Sequence, residues 1–207
     1  MHLNQKLPSS IVHYSGLITM GGTMSANDCL PWLAQEQALI QAAYRAQIPI
    51  AGHCLGSQIL SKALGATVRP NKHKEIGWHS LHPLDQTAAE HWFGPLDAAP
   101  VVFQWHSDTF DLPPAATPLF SSAACKNQAY VLADRHVAIQ FHLEMTPSLI
   151  EQTVVANEHV LPTLHSQFPC SVNTAAQLRA GIAKHVPAMH QMLLHMYTQW
   201  SKNLNRT

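Results

Sequence analysis

The chain has 207 residues, 46% of them hydrophobic, which is enough for one domain with a full core, and no Gly/Ser-rich or highly charged linker divides it. Its 12 basic residues are balanced by 12 acidic ones, and the densest basic cluster, Arg69, Lys72 and Lys74, is interrupted by Pro70 and His73, which argues against a nucleic-acid partner. No run approaches the roughly 18 apolar residues of a membrane span and the N-terminus lacks the layout of a signal peptide, so a cytoplasmic protein with no membrane partner is expected.

Tyr14 to Met20 reads as a short buried strand that ends at Gly21-Gly22, with Asn27 and Asp28 expected to open the next helix. From Pro31 to Ala46 apolar residues recur at helical spacing, and Ile48 to Ala51 supplies a second strand. A second helix then starts near Leu55 and stops at Gly65. Trp78–Leu84, Val101–Trp105, Ala116–Ala124, Ala129–Ala133 and Val137–Phe141 are short apolar or alternating runs between turn residues, and predict strands. Helices return after Pro147, and Thr174 to Leu204 predicts a helix kinked or divided at Pro187. Alternating units followed by strands and more helices predict an open α/β sheet with an antiparallel portion.

Three elements carry chemistry. In Gly52-His53-Cys54-Leu55-Gly56, a cysteine between two glycines sits where a strand turns into a helix, as in a nucleophile elbow. The first N–H groups of that helix favour a thiolate, whereas Cys29, Cys125 and Cys170 have no comparable setting and no C-x-x-C partner. In Gln140-Phe141-His142-Leu143-Glu144, a strand's period of two puts His142 and Glu144 on one face, where a carboxylate can orient an imidazole that serves Cys54. In Met20-Gly21-Gly22-Thr23-Met24-Ser25, a glycine pair at a strand end offers backbone N–H groups. With the amide of Leu55, that of Gly22 would make an oxyanion hole. His73, His79 and His82 do not have the spacing of a compact zinc motif, and neither metal nor cofactor is expected. Met189, His190, Met192, Leu193, His195 and Met196 read as a packing face with a polar edge.

Together with Trp105-His106-Ser107-Asp108-Thr109-Phe110 and Asn127-Gln128-Ala129-Tyr130, these segments resemble the class I glutamine amidotransferase family, in particular stand-alone proteins similar to the amidotransferase domain of GMP synthetase. The resemblance covers about residues 14–147 of a single 1–207 domain whose helical C-terminal part is 148–207. It implies a flavodoxin-like fold: three layers around an open, mostly parallel sheet with an antiparallel portion. It also implies a triad of Cys54, His142 and Glu144, an oxyanion hole of Gly22 and Leu55, and Gln58 with Ser107 and Asp108 holding the amino-acid end of glutamine. Ser57, Trp105, His106 and Tyr130 are weaker pocket candidates. The implied activity is hydrolysis of a γ-glutamyl amide through a cysteine thioester, with glutamine or a γ-glutamyl compound as substrate and a synthetase subunit as partner. The alternatives are a γ-glutamyl peptide hydrolase using the same triad and a catalytically weak regulatory subunit.

Thr23 and Leu143 stand where the family usually has proline. The family also places a strand, a helix and another strand before the Gly-Gly loop, so an N-terminally shortened fold is expected here. His2-Leu3-Asn4-Gln5 would be a remnant of the second strand, and a sheet edge would be exposed.

Overall fold

The computed structural model describes residues 7–97 and 99–204, so the stretch His2–Gln5 lies outside it. In chain order the elements are β1 (Leu17–Thr19), α1 (Pro31–Arg45), β2 (Ile50–His53), α2 (Leu55–Ala63), β3 (Val68–Ser80), β4 (His82–Pro83) and α3 (Gln86–Phe93). They continue with β5 (Val101–Phe110), β6 (Thr117–Ser121), β7 (Ala129–Leu132), β8 (His136–Ile139), α4 (Pro147–Asn157), α5 (Leu161–Gln167) and α6 (Ala175–Ser201).

The main sheet has the order β1-β2-β8-β7-β6-β4. Its β1, β2 and β8 run parallel, and β7, β6 and β4 continue it antiparallel. In the parallel part, the very short β2 and β8 are buried on both faces while the edge strand β1 leaves Ile18 exposed, and the period of two divides the side chains of β2 and β8 between two cores. Ile50 and Ala138 pack with Ile40, Ala43, Ile59 and Leu60 of α1 and α2. Ala51, Val137 and Ile139 pack with Trp92 and Phe93 of α3 and with Met189, Met192, Met196 and Trp200 of α6. The result is the three-layer α/β sandwich that the sequence predicts. Among the described residues β1 has one neighbour, β2, and stands at the sheet edge.

β3 and β5 form a separate antiparallel ribbon, joined through an isolated bridge from Phe103 to His142 and another from Ile76 to Val172. This ribbon forms one wall of the site. Its first half, Val68 to Lys74, carries no apolar alternation, which is why the sequence predicts a strand only from Trp78.

Four local expectations are corrected. Helix α1 opens at Pro31 after Leu30, because Asp28 turns back to accept from the Ser25 backbone N–H at 3.0 Å. Helix α3, over which the sequence predicts no element, is capped by Asp85, whose carboxylate accepts from Ala88 N–H at 3.0 Å. The strand expected to run to Phe141 ends at Ile139, so His142 and Glu144 follow it on irregular chain. Helix α6 is a single element of 27 residues despite Pro187, because Val186, Met189 and Met192 on either side of the proline are all buried in the core. Its methionines do form a packing face, and His190 on the polar edge lies 3.0 Å from the carbonyl of Met145.

Candidate active site

Cys54 is the N-cap of α2, with φ 49° and ψ −109°, a left-handed conformation that an L residue adopts at a cost of roughly 1–3 kcal/mol. The surroundings hold it there. Its N–H donates to Ile139 O at 2.8 Å, and its carbonyl accepts from Gln58 N–H at 3.1 Å and the Ser57 hydroxyl at 2.6 Å. The flanking glycines are required by close approach. A Cβ on Gly52 would sit 2.9 Å from backbone atoms of Gly56 and Ser57, and one on Gly56 would collide with the Thr19 carbonyl of β1. The thiol therefore projects from a bend that only these neighbours permit.

The Gly21-Gly22 loop, continuing β1, passes directly over this bend. A Cβ on Gly21 would meet His142 Cε1 at 3.1 Å and Cys54 Cβ at 3.6 Å, and one on Gly22 would meet Leu55 Cδ2 at 2.7 Å. Three separate pieces of chain thus converge on the sulfur: the elbow, the glycine loop and the His142 segment. The last is tied to β5 by His142 N–H donating to Phe103 O at 2.8 Å, and its alternation survives without a strand because Phe141 and Leu143 are fully buried on the opposite side.

His142 Nδ1 donates to Glu144 Oε1 at 2.6 Å. Burial opposes charge on this ring, but the Cys54 thiolate and the Glu144 carboxylate outweigh it and hold its pKa well above the usual 6.5. Burial likewise opposes charge on Glu144, and hydrogen bonds and charge from His142 and His53 outweigh that, so its pKa lies well below the usual 4.5. The second oxygen, Glu144 Oε2, lies 3.5 Å from Nδ1 of His53, whose Nε2 is 2.8 Å from the Tyr197 hydroxyl. Burial, aided by Glu144, pushes the Tyr197 phenol up to about 12. On its other side the sulfur receives Gln140 Nε2 at 3.6 Å.

A cavity of about 360 Å³ opens beside Cys54, within the range of small-molecule sites. Gly22, Leu55, Gln58, Ser107 and Asp108 all line it, as do Trp105 and His106. Gln58 is committed to the wall, with Nε2 donating to Asp108 O at 3.3 Å and Gln140 Oε1 at 3.1 Å. Two of the weaker pocket candidates are corrected. Ser57 is buried under the elbow, and Tyr130 is fully buried with its hydroxyl 3.0 Å from Ser61 Oγ.

Behind the wall is a charge pair with no sequence signal, since its members lie 31 residues apart. His106 Nδ1 donates to Asp108 O at 2.9 Å, and Nε2 lies 2.9 Å from Glu75 Oε2. Glu75 also accepts from Gln128 Nε2 and the Ser122 hydroxyl, each at 2.6 Å. Burial opposes the charged carboxylate, but His106 and Ser122 outweigh it and hold its pKa below 4.5. Both ring nitrogens of His106 are engaged, Nε2 by the Glu75 carboxylate. Removing one member of such a pair costs roughly 3–5 kcal/mol. Glu75→Ala is therefore expected to lower the urea-unfolding free energy by that amount at pH 7. Because the folded pKa is depressed, this stabilisation is present above 4.5 and is lost as pH falls through the folded value, so the gap between variant and parent narrows in acid.

Glu75, His106 and Cys125 are the one group of potential metal ligands whose ligand atoms lie within 4.8 Å of one another among the described residues. Their atoms are already spent on one another, on Gln128, Ser122 and Asp108, and on Thr109, whose hydroxyl is 3.2 Å from the Cys125 sulfur. His73, His79 and His82 form no such group among the described residues.

Residues 2–161 match the class I glutamine amidotransferase family. The chain is 29% identical over 194 residues to the glutamine amidotransferase-like protein YfeJ of Salmonella typhimurium, covering 87% of this chain and 77% of that one. It is 29% identical over 140 residues to the glutamine-hydrolyzing GMP synthase of Aeromonas salmonicida, covering 64% of this chain but only 26% of that protein. To gamma-glutamyl peptidase 3 of Arabidopsis thaliana it is 25% identical over 146 residues, covering 68% of this chain and 59% of that one. The crystal structure of a glutamine amido transferase from Methylobacillus flagellatus superposes with a TM-score of 0.94 at 36% identity, covering 100% of this chain and 84% of the other. Fold and sequence agree, and the chain belongs to the class I glutamine amidotransferases.

Proposed function

We propose that this chain hydrolyses a γ-glutamyl amide through a thioester on Cys54. The observation that carries the reading is the convergence of the strained Cys54 elbow, the His142–Glu144 pair and the Gly21-Gly22 loop on one cavity. Cys54 thiolate attacks the side-chain carbonyl carbon, and the oxygen, now negative, accepts from the amides of Gly22 and Leu55. The carbon–nitrogen bond breaks as imidazolium His142 gives its proton to the departing nitrogen, leaving a glutamyl thioester. His142, now neutral, takes a proton from water, which attacks the thioester and releases glutamate and the thiolate. Glu144 keeps the imidazole oriented and stabilises its charged form, with His53 and Tyr197 steadying the carboxylate from behind. Gln58, Ser107 and Asp108 hold the amino-acid end of the substrate.

Glutamine is the simplest such substrate and would release ammonia. The Aeromonas relative is a GMP synthase, which favours a synthetase subunit as the consumer of that ammonia. The Arabidopsis relative is a gamma-glutamyl peptidase, which favours γ-glutamyl peptides as the second reading. Ammonia release from glutamine, amine release from γ-glutamyl dipeptides, and the mass of the protein after exposure to an electrophilic glutamine analogue test both. Turnover with an adduct on Cys54 is the expected result. No turnover and no adduct, with Cys54 still reduced, would leave the regulatory-subunit reading in its place.

A further inference from the structure

The cavity beside Cys54 carries a cation that forms no ion pair with any described residue. Lys74, half-buried, lines it together with Cys54 and Asp108 and takes no hydrogen bond or ion pair from any described residue. Its position is built. In the β3–β5 ribbon Pro70 pairs with Asp108 and Glu75 with His106, so residues 71–74 bulge out opposite the single residue Ser107. Asn71 braces the bulge, its Nδ2 donating to His73 O at 2.8 Å and Ala124 O at 3.0 Å. Bulges of this kind re-aim side chains next to active sites. Here the strand resumes at Glu75, which turns inward to His106, and Lys74 before it faces the cavity.

The charges around the cavity then sum simply. His106 is already matched by Glu75 behind the wall, and the Cys54 thiolate by the protonated His142 beside it. That leaves Lys74 and Asp108, and the carboxylate of Asp108 is held by the Ser25 hydroxyl at 2.6 Å without being neutralised. The occupant is offered one positive and one negative group. A partly desolvated ammonium with no partner is unfavourable, so the occupant should bring an anion to it.

We infer that Lys74 receives the α-carboxylate of the γ-glutamyl head, opposite an α-ammonium at Asp108, and so restricts the site to substrates with a free amino-acid zwitterion. The inference rests on the proposed hydrolysis and names its substrate class. It predicts that compounds amidated at the α-carboxyl are poor ligands whatever their leaving group.

The test uses binding as well as turnover. Calorimetry on Cys54→Ala measures affinity for glutamine and for glutamine α-amide, and repeats both with Lys74→Met and Lys74→Arg added. One charge-assisted hydrogen bond is worth roughly 10- to 100-fold in affinity. Glutamine is expected to bind tighter than its α-amide by about that factor, with Lys74→Met erasing the preference and Lys74→Arg keeping most of it. In the Cys54 enzyme the same substitution should raise KM for glutamine far more than it lowers kcat. An unchanged preference in Lys74→Met overturns the inference, as does absence of binding. So does a penalty confined to γ-glutamyl dipeptides, which would assign Lys74 to the leaving amino acid. Zwitterion-selective binding without turnover would instead sink the hydrolysis reading and leave the inference standing.

Discussion

Glu144→Gln is expected to lower kcat by roughly 10³- to 10⁴-fold while leaving the fold intact, the scale seen when a catalytic histidine loses its orienting carboxylate. The carboxylate is 2.6 Å from His142 Nδ1, and its charge helps hold that ring protonated well above pH 6.5. A neutral amide removes that charge and can present its NH₂ to a nitrogen that must itself donate. The pH dependence separates this from a general loss of structure. An imidazolium stabilised by Glu144 and the thiolate persists to high pH, so the alkaline limb of kcat in the parent lies well above 6.5 and moves acidward in the variant. If the rate falls but the kcat profile stays in place, Glu144 acts on the fold and not on the charge of His142.

The same geometry orders the smaller effects. Tyr197 reaches Glu144 only through His53, so Tyr197→Phe loosens one anchor of a carboxylate that still holds His142. Its expected cost is about tenfold in kcat, the worth of one net hydrogen bond, with the alkaline limb shifted slightly in the direction seen for Glu144→Gln.

What could be read from the sequence follows from how far apart the cooperating residues lie along the chain. Gly52, Cys54 and Gly56 are legible because one bend needs all three, and His142 with Glu144 because the period of two holds even where the backbone leaves the strand ladder. Tyr197 lies 144 residues from His53, and Glu75 53 residues from Gln128, so no local spacing announces either pair. Gln140 was in view as the start of the His142 segment, yet its contact with the Cys54 sulfur depends on the register between β2 and β8. The Asn127-Gln128 motif proves to be wall support, with Asn127 donating to Phe110 O and Gln128 to Glu75. Polarity hides the first half of β3, where Val68 to Pro70 gain order from pairing with β5 and not from an apolar face, and residues 71–74 bulge out of the ladder. Pro187 does not divide α6, because a helix breaker acts only against local propensity, whereas α6 is held by core packing along its length.

Gly56→Ala is expected to do the largest structural damage of any single methyl group near the site. The added Cβ would run into the carbonyl of Thr19, which is backbone of the edge strand β1 and cannot rotate away. Relief requires β1 to shift from β2 or the first turn of α2 to lift, and overpacking against backbone costs about 3 kcal/mol. In a chain of this size that corresponds to a fall in Tm of about 10 °C. Thr19 leads directly through Met20 into Gly21 and Gly22, so the displacement carries the oxyanion loop with it. Activity should therefore fall at least 100-fold even at temperatures where the variant stays folded, an effect of about 3 kcal/mol on the barrier. Gly65→Ala is the control. Gly65 has φ +89° and open space around it, so alanine there meets only backbone strain of about 1 kcal/mol and should leave kcat unchanged. Should Gly56→Ala lose no more stability than Gly65→Ala and keep its activity, β1 would be free to yield, and the glycine loop would not depend on the close approach of strand and helix.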